Sequence, residues 1–463
     1  MRKTNLLFIL SDEHNRDVAG CYGDGIAKTP HLDALAARGT RFTGAYCNSP
    51  ICVPSRASLA TGRYVHEIGY WDNAHAYDGR VPGWGHRLIE TGHRSVSIGK
   101  LHYRNETDPT GFSEQILPLH VVEGIGDAIG LLRDAPRPRG GAPYLAAEAG
   151  PGESTYLDYD RGITRAACDW LRTEGTRDPD RPWLLFVSPV CPHFPLVAPP
   201  EFFDLYPPDE MPLPPLYGKL PGHPVLRALR QSMNYADYFD EAKARVARSA
   251  YYGMVSFLDD NIGRILRALE EAGLDGDTRV IYTSDHGDNL GNRDLWGKSV
   301  MYEDSVAVPL IMAGPDVPAG GVVRTPVSLV DCHPTFIEAV GERLTPEEAR
   351  TLPGESLWRI AREPDRPERV VFSEYHAACS ITGVYMVRVG RWKYVHYVGH
   401  PPQLFDLEAD PGEADDLGRD PRHAEVRATC EAELRRIVDP EEASGRAFRD
   451  QRATVGRLGG EAA

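Results

Sequence analysis

Residues 6–10 read Leu-Leu-Phe-Ile-Leu, an apolar run with no polar face, and acidic residues follow it at once. Such a run predicts a strand over residues 5–10 that is buried on both sides, as central parallel strands are. Residues 95–98, 183–187, 280–283 and 308–312 are further buried-strand candidates. Between them the period changes. Thr29 and Pro30 open the segment HLDALAAR and Gly39 closes it, a helix with a threonine cap and proline in its first turn. Over residues 249–272, Met254, Leu258, Ile262, Ile265 and Leu269 recur at helical spacing and predict a long amphipathic helix. Strands alternating with helices predict an α/β fold, a doubly wound sheet flanked by helices on both faces.

Other stretches break the pattern. Residues 195–217 are rich in proline and read as an irregular surface excursion, and residues 140–152 read as a loop. Composition shifts again near residues 362–369. Beyond that point, residues 384–389 and 391–397 flank Gly390 as a hairpin, and residues 424–437 form a helix. Residues after about 444 read as frayed. The expected division is a catalytic domain over residues 1–365 and a smaller C-terminal α+β subdomain over residues 366–463, with a small antiparallel sheet and a terminal helix.

Charge narrows the function. A formal net charge of -16 argues against a nucleic-acid partner, which needs clustered Lys and Arg to neutralise phosphates. The run at residues 6–10 is too short for a signal-peptide core, and no stretch is apolar enough to span a membrane. The expectation is a cytoplasmic protein with no membrane association. Its eight cysteines are then reduced and mostly buried.

Chemistry gathers at strand ends. Asp12 and Glu13 follow the first strand, and Asp285 and His286 follow the strand VIYTS. Ligands of open α/β sheets bind beyond the carboxyl ends of strands, so the two pairs can converge. Carboxylates with one imidazole suit a hard or borderline cation, Ca²⁺ first and Mn²⁺ or Mg²⁺ as alternatives. Either pair alone reads equally well as a helix cap or a solvated turn. Cys52 opens CVPSR, where Pro54 and Ser55 can start a helix and leave Cys52 just before its N-terminus. A thiol in that place would be reactive, while on physics alone a buried inert cysteine is the more frequent case.

The segment CVPSRASLATGR resembles the signature of the type I sulfatases, within the alkaline phosphatase superfamily. The SDE opening, TPHLDALAARG, GKLHY, SPVCPHFP, SDHGDNLG with GK after it, and LFDLEADPGEADDLG extend the resemblance over roughly residues 4–418. It implies an alkaline-phosphatase-like mixed sheet. It also implies that a separate maturation enzyme reads C-x-P-x-R and oxidises Cys52 to formylglycine. Hydrated to a geminal diol, that residue would attack sulfur, release the alcohol and expel sulfate as the aldehyde re-forms. By the same resemblance Asp12, Glu13, Asp285 and His286 are metal ligands, with position 52 as a further one. Glu13 and His286 depart from the Asp and Asn of many sulfatases; the pairing of Asp285 with His286 resembles the choline sulfatase and phosphonate monoester hydrolase branch instead. Arg56 and Lys100 would steady formylglycine and its metal, and His102 would be the base for hemiacetal collapse. His193 and Lys298 would contact the ester oxygen, and Asn73 would be an active-site asparagine of that branch.

The expected substrate is a small-molecule sulfate ester, and a homo-oligomer is expected. Choline would need an aromatic cage, for which Tyr70, Trp71, Trp84 and Trp296 are candidates; such aromatics are more often core or rim packing. Aryl, sugar and other alkyl sulfates stay open. Competing readings are a phosphonate monoester or phosphodiester hydrolase with the same site, a mutase-like phosphotransferase, and a non-catalytic binding protein with unmodified Cys52.

Overall fold

The computed structural model describes residues 3–126, 138–178 and 180–458. Its main sheet has eight strands: β1 (Asn5–Ser11), β2 (Thr40–Phe42), β3 (Arg94–Lys100), β4 (Glu114–Leu119), β5 (Trp183–Ser188), β6 (Thr278–Ser284), β7 (Leu310–Ala313) and β8 (Gly321–Val323). They lie in the order β8-β2-β7-β6-β1-β5-β3-β4. The sheet is mixed, because β7 runs antiparallel to both β6 and β2 while β6, β1, β5, β3 and β4 run parallel.

The apolar run of β1 has its reason in the layers. Leu6, Phe8 and Leu10 enter a core with Phe336 and Trp84, while Leu7 and Ile9 enter a second core with Leu258 and Ile262. Helices α1 (Pro30–Ala37), α3 (Thr155–Thr173) and α4 (Glu241–Glu271) cover the second face. Helices α2 (Cys52–Thr61) and α5 (Cys332–Ala339) cover the first. This is the doubly wound α/β architecture the sequence predicts.

A separate four-stranded antiparallel sheet follows: β9 (Val371–Tyr375), β10 (Val384–Val389), β11 (Trp392–Tyr397) and β12 (Gln403–Asp406). Gly390 turns the β10–β11 hairpin at φ 61, a conformation glycine adopts without cost. Helix α6 (Ala424–Ile437) packs Cys430 and Leu434 on this sheet. Buried Lys393 pairs with Glu303 at 3.0 Å and Glu413 at 2.8 Å, and Arg16 pairs with Glu303 at 2.8 Å, pinning the small sheet to the main body.

Four expectations about elements need correction. Helix α4 starts at Glu241, capped by Asp240, whose side chain accepts from Lys243 N at 2.8 Å. Its early buried face is Ala244, Ala247 and Ala250, too weakly apolar to stand out in the sequence. The stretch 140–152 contains a helix, Ala142–Glu148. The proline-rich stretch 195–217 is largely irregular, yet Leu196, Phe203, Tyr206 and Met211 are buried in the α4 core rather than looping over the surface. The segment after residue 444 is not frayed: α7 (Pro440–Arg457) is a helix capped by Asp439. Among the described residues no helix is long and apolar enough to cross a membrane.

Candidate active site

Adjacent parallel strands β6, β1, β5 and β3 deliver the chemistry. Just beyond their carboxyl ends come Asp285 and His286, Asp12 and Glu13, and His193; Lys100 ends β3 and His102 follows it. Register explains the meeting of the acids. Ser11 pairs with Ser284, so the next residues, Asp12 and Asp285, emerge side by side.

Helix α2 faces them with its first turn. It begins at Cys52 itself, one residue earlier than the sequence suggests, with Ile51 as an extended N-cap. Residues four apart share a helix face, so Cys52 and Arg56 both turn towards the acids. Arg56 is a strut: Nε donates to Asp285 Oδ2 at 2.7 Å and Nη2 to Asp12 Oδ2 at 3.1 Å. Its Nη1 donates to the Lys100 carbonyl at 2.7 Å and to Ser188 Oγ at 3.0 Å. Burial opposes its charge, but Asp285 and Asp12 outweigh burial and hold the guanidinium cationic.

Cys52 Sγ is the hub. It lies 3.2 Å from His286 Nε2, 3.4 Å from Lys298 Nζ, 3.5 Å from Asp12 Oδ1 and 4.0 Å from Lys100 Nζ. Lys100 Nζ meets Asp12 Oδ2 at 2.5 Å. Burial works against ionisation of Asp12, yet the cations Lys100 and Arg56 outweigh it and keep the carboxyl well below the usual carboxylate range. Burial and then Asp12 push the Cys52 thiol up to about 12, against Lys100 and Lys298. Of the two readings of Cys52, the buried inert thiol is the one this setting favours: burial outweighs the helix terminus.

Ligand-type atoms of Asp12, Cys52, Asp285 and His286 all lie within 4.8 Å of one another, and all four residues are buried. Glu13 falls in a second group, with Asp12 and His193. Its Oε2 accepts from Lys298 Nζ at 2.8 Å and lies 3.4 Å from His193 Nε2. Its Oε1 is buried with no hydrogen-bond partner among the described residues. Burial pushes the Glu13 carboxyl up to about 8, with Lys298 opposing.

A cavity of ≈ 200 Å³ opens onto Cys52. Asn73, His102, His193 and Lys298 line it. Asn73 Oδ1 accepts from Val53 N at 3.2 Å, which leaves its NH₂ for the cavity. Burial, then Lys100 and Arg56, hold the His102 imidazole well below its usual range, and its Nδ1 is buried without a partner among the described residues. His193 is held neutral by burial and Lys298, and its Nδ1 lies 2.7 Å from the Phe194 carbonyl. The candidate ligands and catalytic residues Asp12, Glu13, Cys52, Arg56, Asn73, Lys100, His102, His193, Asp285, His286 and Lys298 thus lie together around Cys52 and its cavity.

The cavity is also lined by Asp72, Arg139, Met233, Tyr235 and Tyr375, none of which the sequence singled out. Asp72 and Arg139 come from loops, Met233 ends a helix, Tyr235 opens a short 3-10 turn and Tyr375 ends β9, so no common spacing links them. Of the aromatics put forward for a cation cage, Trp296 alone lines the cavity. Trp84 packs in the core at 5.1 Å from Phe336, and Tyr70 stands edge-on to Tyr77 at 5.4 Å. Trp71 faces His376 at 5.0 Å and donates Nε1 to Asp450 Oδ2 at 2.8 Å.

The family described as Sulfatase matches residues 4–342, and the one described as N-sulphoglucosamine sulphohydrolase, C-terminal, matches residues 291–439. A choline-sulfatase of Rhizobium meliloti (strain 1021) is 34% identical over 93% of this chain and 85% of its own length. Arylsulfatase K of Bos taurus is 30% identical over 94% of this chain and 82% of its own. The crystal structure of the phosphonate monoester hydrolase of Agrobacterium radiobacter superposes with a TM-score of 0.76 at 27% identity, covering 94% of this chain and 95% of that one.

Proposed function

As the chain belongs to the sulfatase family and is a sulfuric ester hydrolase, we propose that it cleaves a sulfate monoester with residue 52 as formylglycine beside a divalent cation. The observation that carries this reading is the setting of Cys52: its Sγ lies 3.2 Å from His286 and 3.5 Å from Asp12, facing a cavity. That sulfur stands where an oxygen of the hydrated aldehyde would lie.

The residues fit a cation. Two carboxylates, a buried imidazole held neutral and an oxygen at position 52 form a donor set for Ca²⁺, Mn²⁺ or Mg²⁺. The unpartnered Glu13 Oε1 adds a further oxygen close by. Asp12, Asp285, His286 and residue 52 would hold the ion. When bound it lowers the pKa of the attacking hydroxyl and neutralises charge on the sulfate.

The chain's own groups do the rest. Arg56 fixes both acids. Lys100 and Lys298 present positive charge to the sulfate oxygens, preorganised by Asp12 and Glu13 so that no reorganisation is needed as charge develops. Lys298 and His193 both line the cavity, and either would stabilise the departing ester oxygen. Neutral His102, on the β3 side, takes the proton that releases sulfate and regenerates the aldehyde. Phe194, Tyr235, Trp296 and Tyr375 give the alcohol an aromatic wall.

The test uses enzyme co-expressed with a formylglycine-generating maturation enzyme. Peptide mass spectrometry is expected to find an aldehyde, not a thiol, at position 52. Turnover is expected to favour p-nitrophenyl sulfate over phenyl p-nitrophenyl phosphonate, and choline sulfate is the first natural ester to assay. Thiol alone at position 52 in active enzyme rejects the mechanism, and a strong preference for the phosphonate moves the reaction to phosphonate ester hydrolysis.

A further inference from the structure

Helix α7 reaches the cavity wall through a ladder of hydrogen bonds. Arg446 donates to the His66 carbonyl, and Asp450 Oδ2 accepts from Trp71 Nε1 at 2.8 Å. Gln451 Nε2 donates to Asp72 Oδ2 at 2.8 Å and to the His376 carbonyl at 2.7 Å. Thr454 Oγ1 meets His75 Nε2 at 3.1 Å. Three of these contacts, from Asp450, Gln451 and Thr454, fall on residues 71–75, a segment that folds on itself: Asp72 Oδ1 accepts from Ala74 N at 2.8 Å and lies 3.0 Å from His75 Nδ1.

Asn73 sits inside that turn. Its side chain crosses to α2 and accepts from Val53 N, the residue after Cys52. Gln451 is buried and is the rung that touches both neighbours of the cavity at once, Asp72 on one wall and the residue before Ala377 on the other. A carboxamide suits this place because one nitrogen carries two donors for two acceptors. Hydrogen bonds to a charged acceptor in a dry site are the strong ones.

We propose that Gln451 is a positioning residue for sulfate ester hydrolysis: it locks the turn 72–75 so that Asn73 keeps its place beside residue 52. The proposal rests on reading residue 52 as the nucleophile. Gln451 does not touch the reacting atoms; it acts through Asp72 and Asn73.

Gln451→Glu keeps the shape, removes both donors and sets a carboxylate against Asp72. Its kcat/KM on p-nitrophenyl sulfate, counted per mole of formylglycine, is expected to fall roughly 10- to 100-fold, the worth of a charged hydrogen bond. Hydrogen exchange is expected to quicken in peptides covering residues 51–54 and 71–76. Asp439→Ala is the control, because it removes the cap at the far end of the same helix, where Asp439 Oδ1 accepts from Glu442 N at 3.0 Å. It is expected to lower Tm and leave kcat/KM unchanged. Adding Asp72→Asn to Gln451→Glu exchanges donor and acceptor, and the pair is expected to recover more activity than the single changes add up to. Wild-type kcat/KM in Gln451→Glu, or an equal loss in Asp439→Ala at equal Tm, overturns the proposal. If wild-type enzyme hydrolyses no sulfate ester, the proposed function falls instead. Exchange at residues 51–54 then decides the latch alone: faster in Gln451→Glu supports it, unchanged rejects it.

Discussion

Arg56→Ala isolates what holds the acids together. The guanidinium is 2% exposed, so solvent does not screen it, and it makes four hydrogen bonds to Asp12, Asp285, the Lys100 carbonyl and Ser188. Asp12 keeps Lys100 at 2.5 Å after the change. Asp285 keeps only the Glu13 N–H at 3.2 Å and a neutral imidazole at 3.6 Å among the described contacts. One buried charge is therefore stranded, and stranding one costs about 3–5 kcal/mol. Arg56→Lys keeps the charge but not the fork, so it is expected to cost less, about 1–3 kcal/mol. The assay is urea unfolding of unmatured protein in EDTA, followed by tryptophan fluorescence, which removes maturation and metal from the comparison. Asp285→Asn is expected to rescue Arg56→Ala, with a coupling energy of about 2 kcal/mol or more. A loss below about 1 kcal/mol for Arg56→Ala, or strict additivity with Asp285→Asn, refutes the strut.

Lys298→Ala tests the leaving-group end: its Nζ lies 3.4 Å from Cys52 Sγ and beside the Phe194 ring at 5.1 Å. The rate is expected to fall about 10²–10⁴-fold on an alkyl sulfate and much less on p-nitrophenyl sulfate, whose phenolate leaves unaided; equal losses assign Lys298 to the sulfate instead. A pH prediction concerns Glu374, whose oxygens lie 2.9 Å from His66 Nδ1 and 2.8 Å from His376 Nε2. Burial would raise this carboxyl, but His66 and His376 outweigh burial and hold it at about 2. A carboxyl depressed on folding stabilises above its unfolded pKa, near 4.5, and loses that contribution as pH falls towards 2. Wild type is expected to lose about 3 kcal/mol more than Glu374→Gln between pH 5 and pH 2 in urea titrations; parallel curves refute the assignment.

Much of the fold and site can be read from the chain because strong local signals coincide with simple geometry. The run at Leu6 to Leu10 ends in Asp12, and Tyr282 to Ser284 ends in Asp285; parallel neighbours place such ends together. Helix α7 was missed for a physical reason. Its buried positions are Pro440, Ala443, Ser444, Ala447, Gln451 and Thr454, small or polar residues that keep helical spacing without apolar contrast. It is held by polar rungs to residues 66–75, and a hydrophobic pattern does not record these. Asp72, Arg139, Tyr235 and Tyr375 carry no signal for a related reason, since each comes alone from a different loop or element end that only tertiary packing brings to the cavity.

The setting of residue 52 also bears on which atom belongs there. A thiol held at about 12 is ionised to roughly one part in 10⁵ at pH 7, so Cys52 as encoded is a poor nucleophile in spite of its helix terminus. The cause is the company it keeps: full burial and the charge of Asp12. Those same neighbours, hard oxygens and one imidazole, suit a cation that prefers oxygen to sulfur. An oxygen in place of Sγ would complete that set and place its own hydroxyl under the cation's charge, where its pKa falls. Lys100 and Lys298, which at present oppose the rise of the thiol without overcoming it, would then act in the same direction as the ion. Such a setting disfavours the thiolate and suits the oxidised residue proposed above. An unmodified binding role would leave a buried cluster of acids, lysines and arginine arranged around a group that uses none of them.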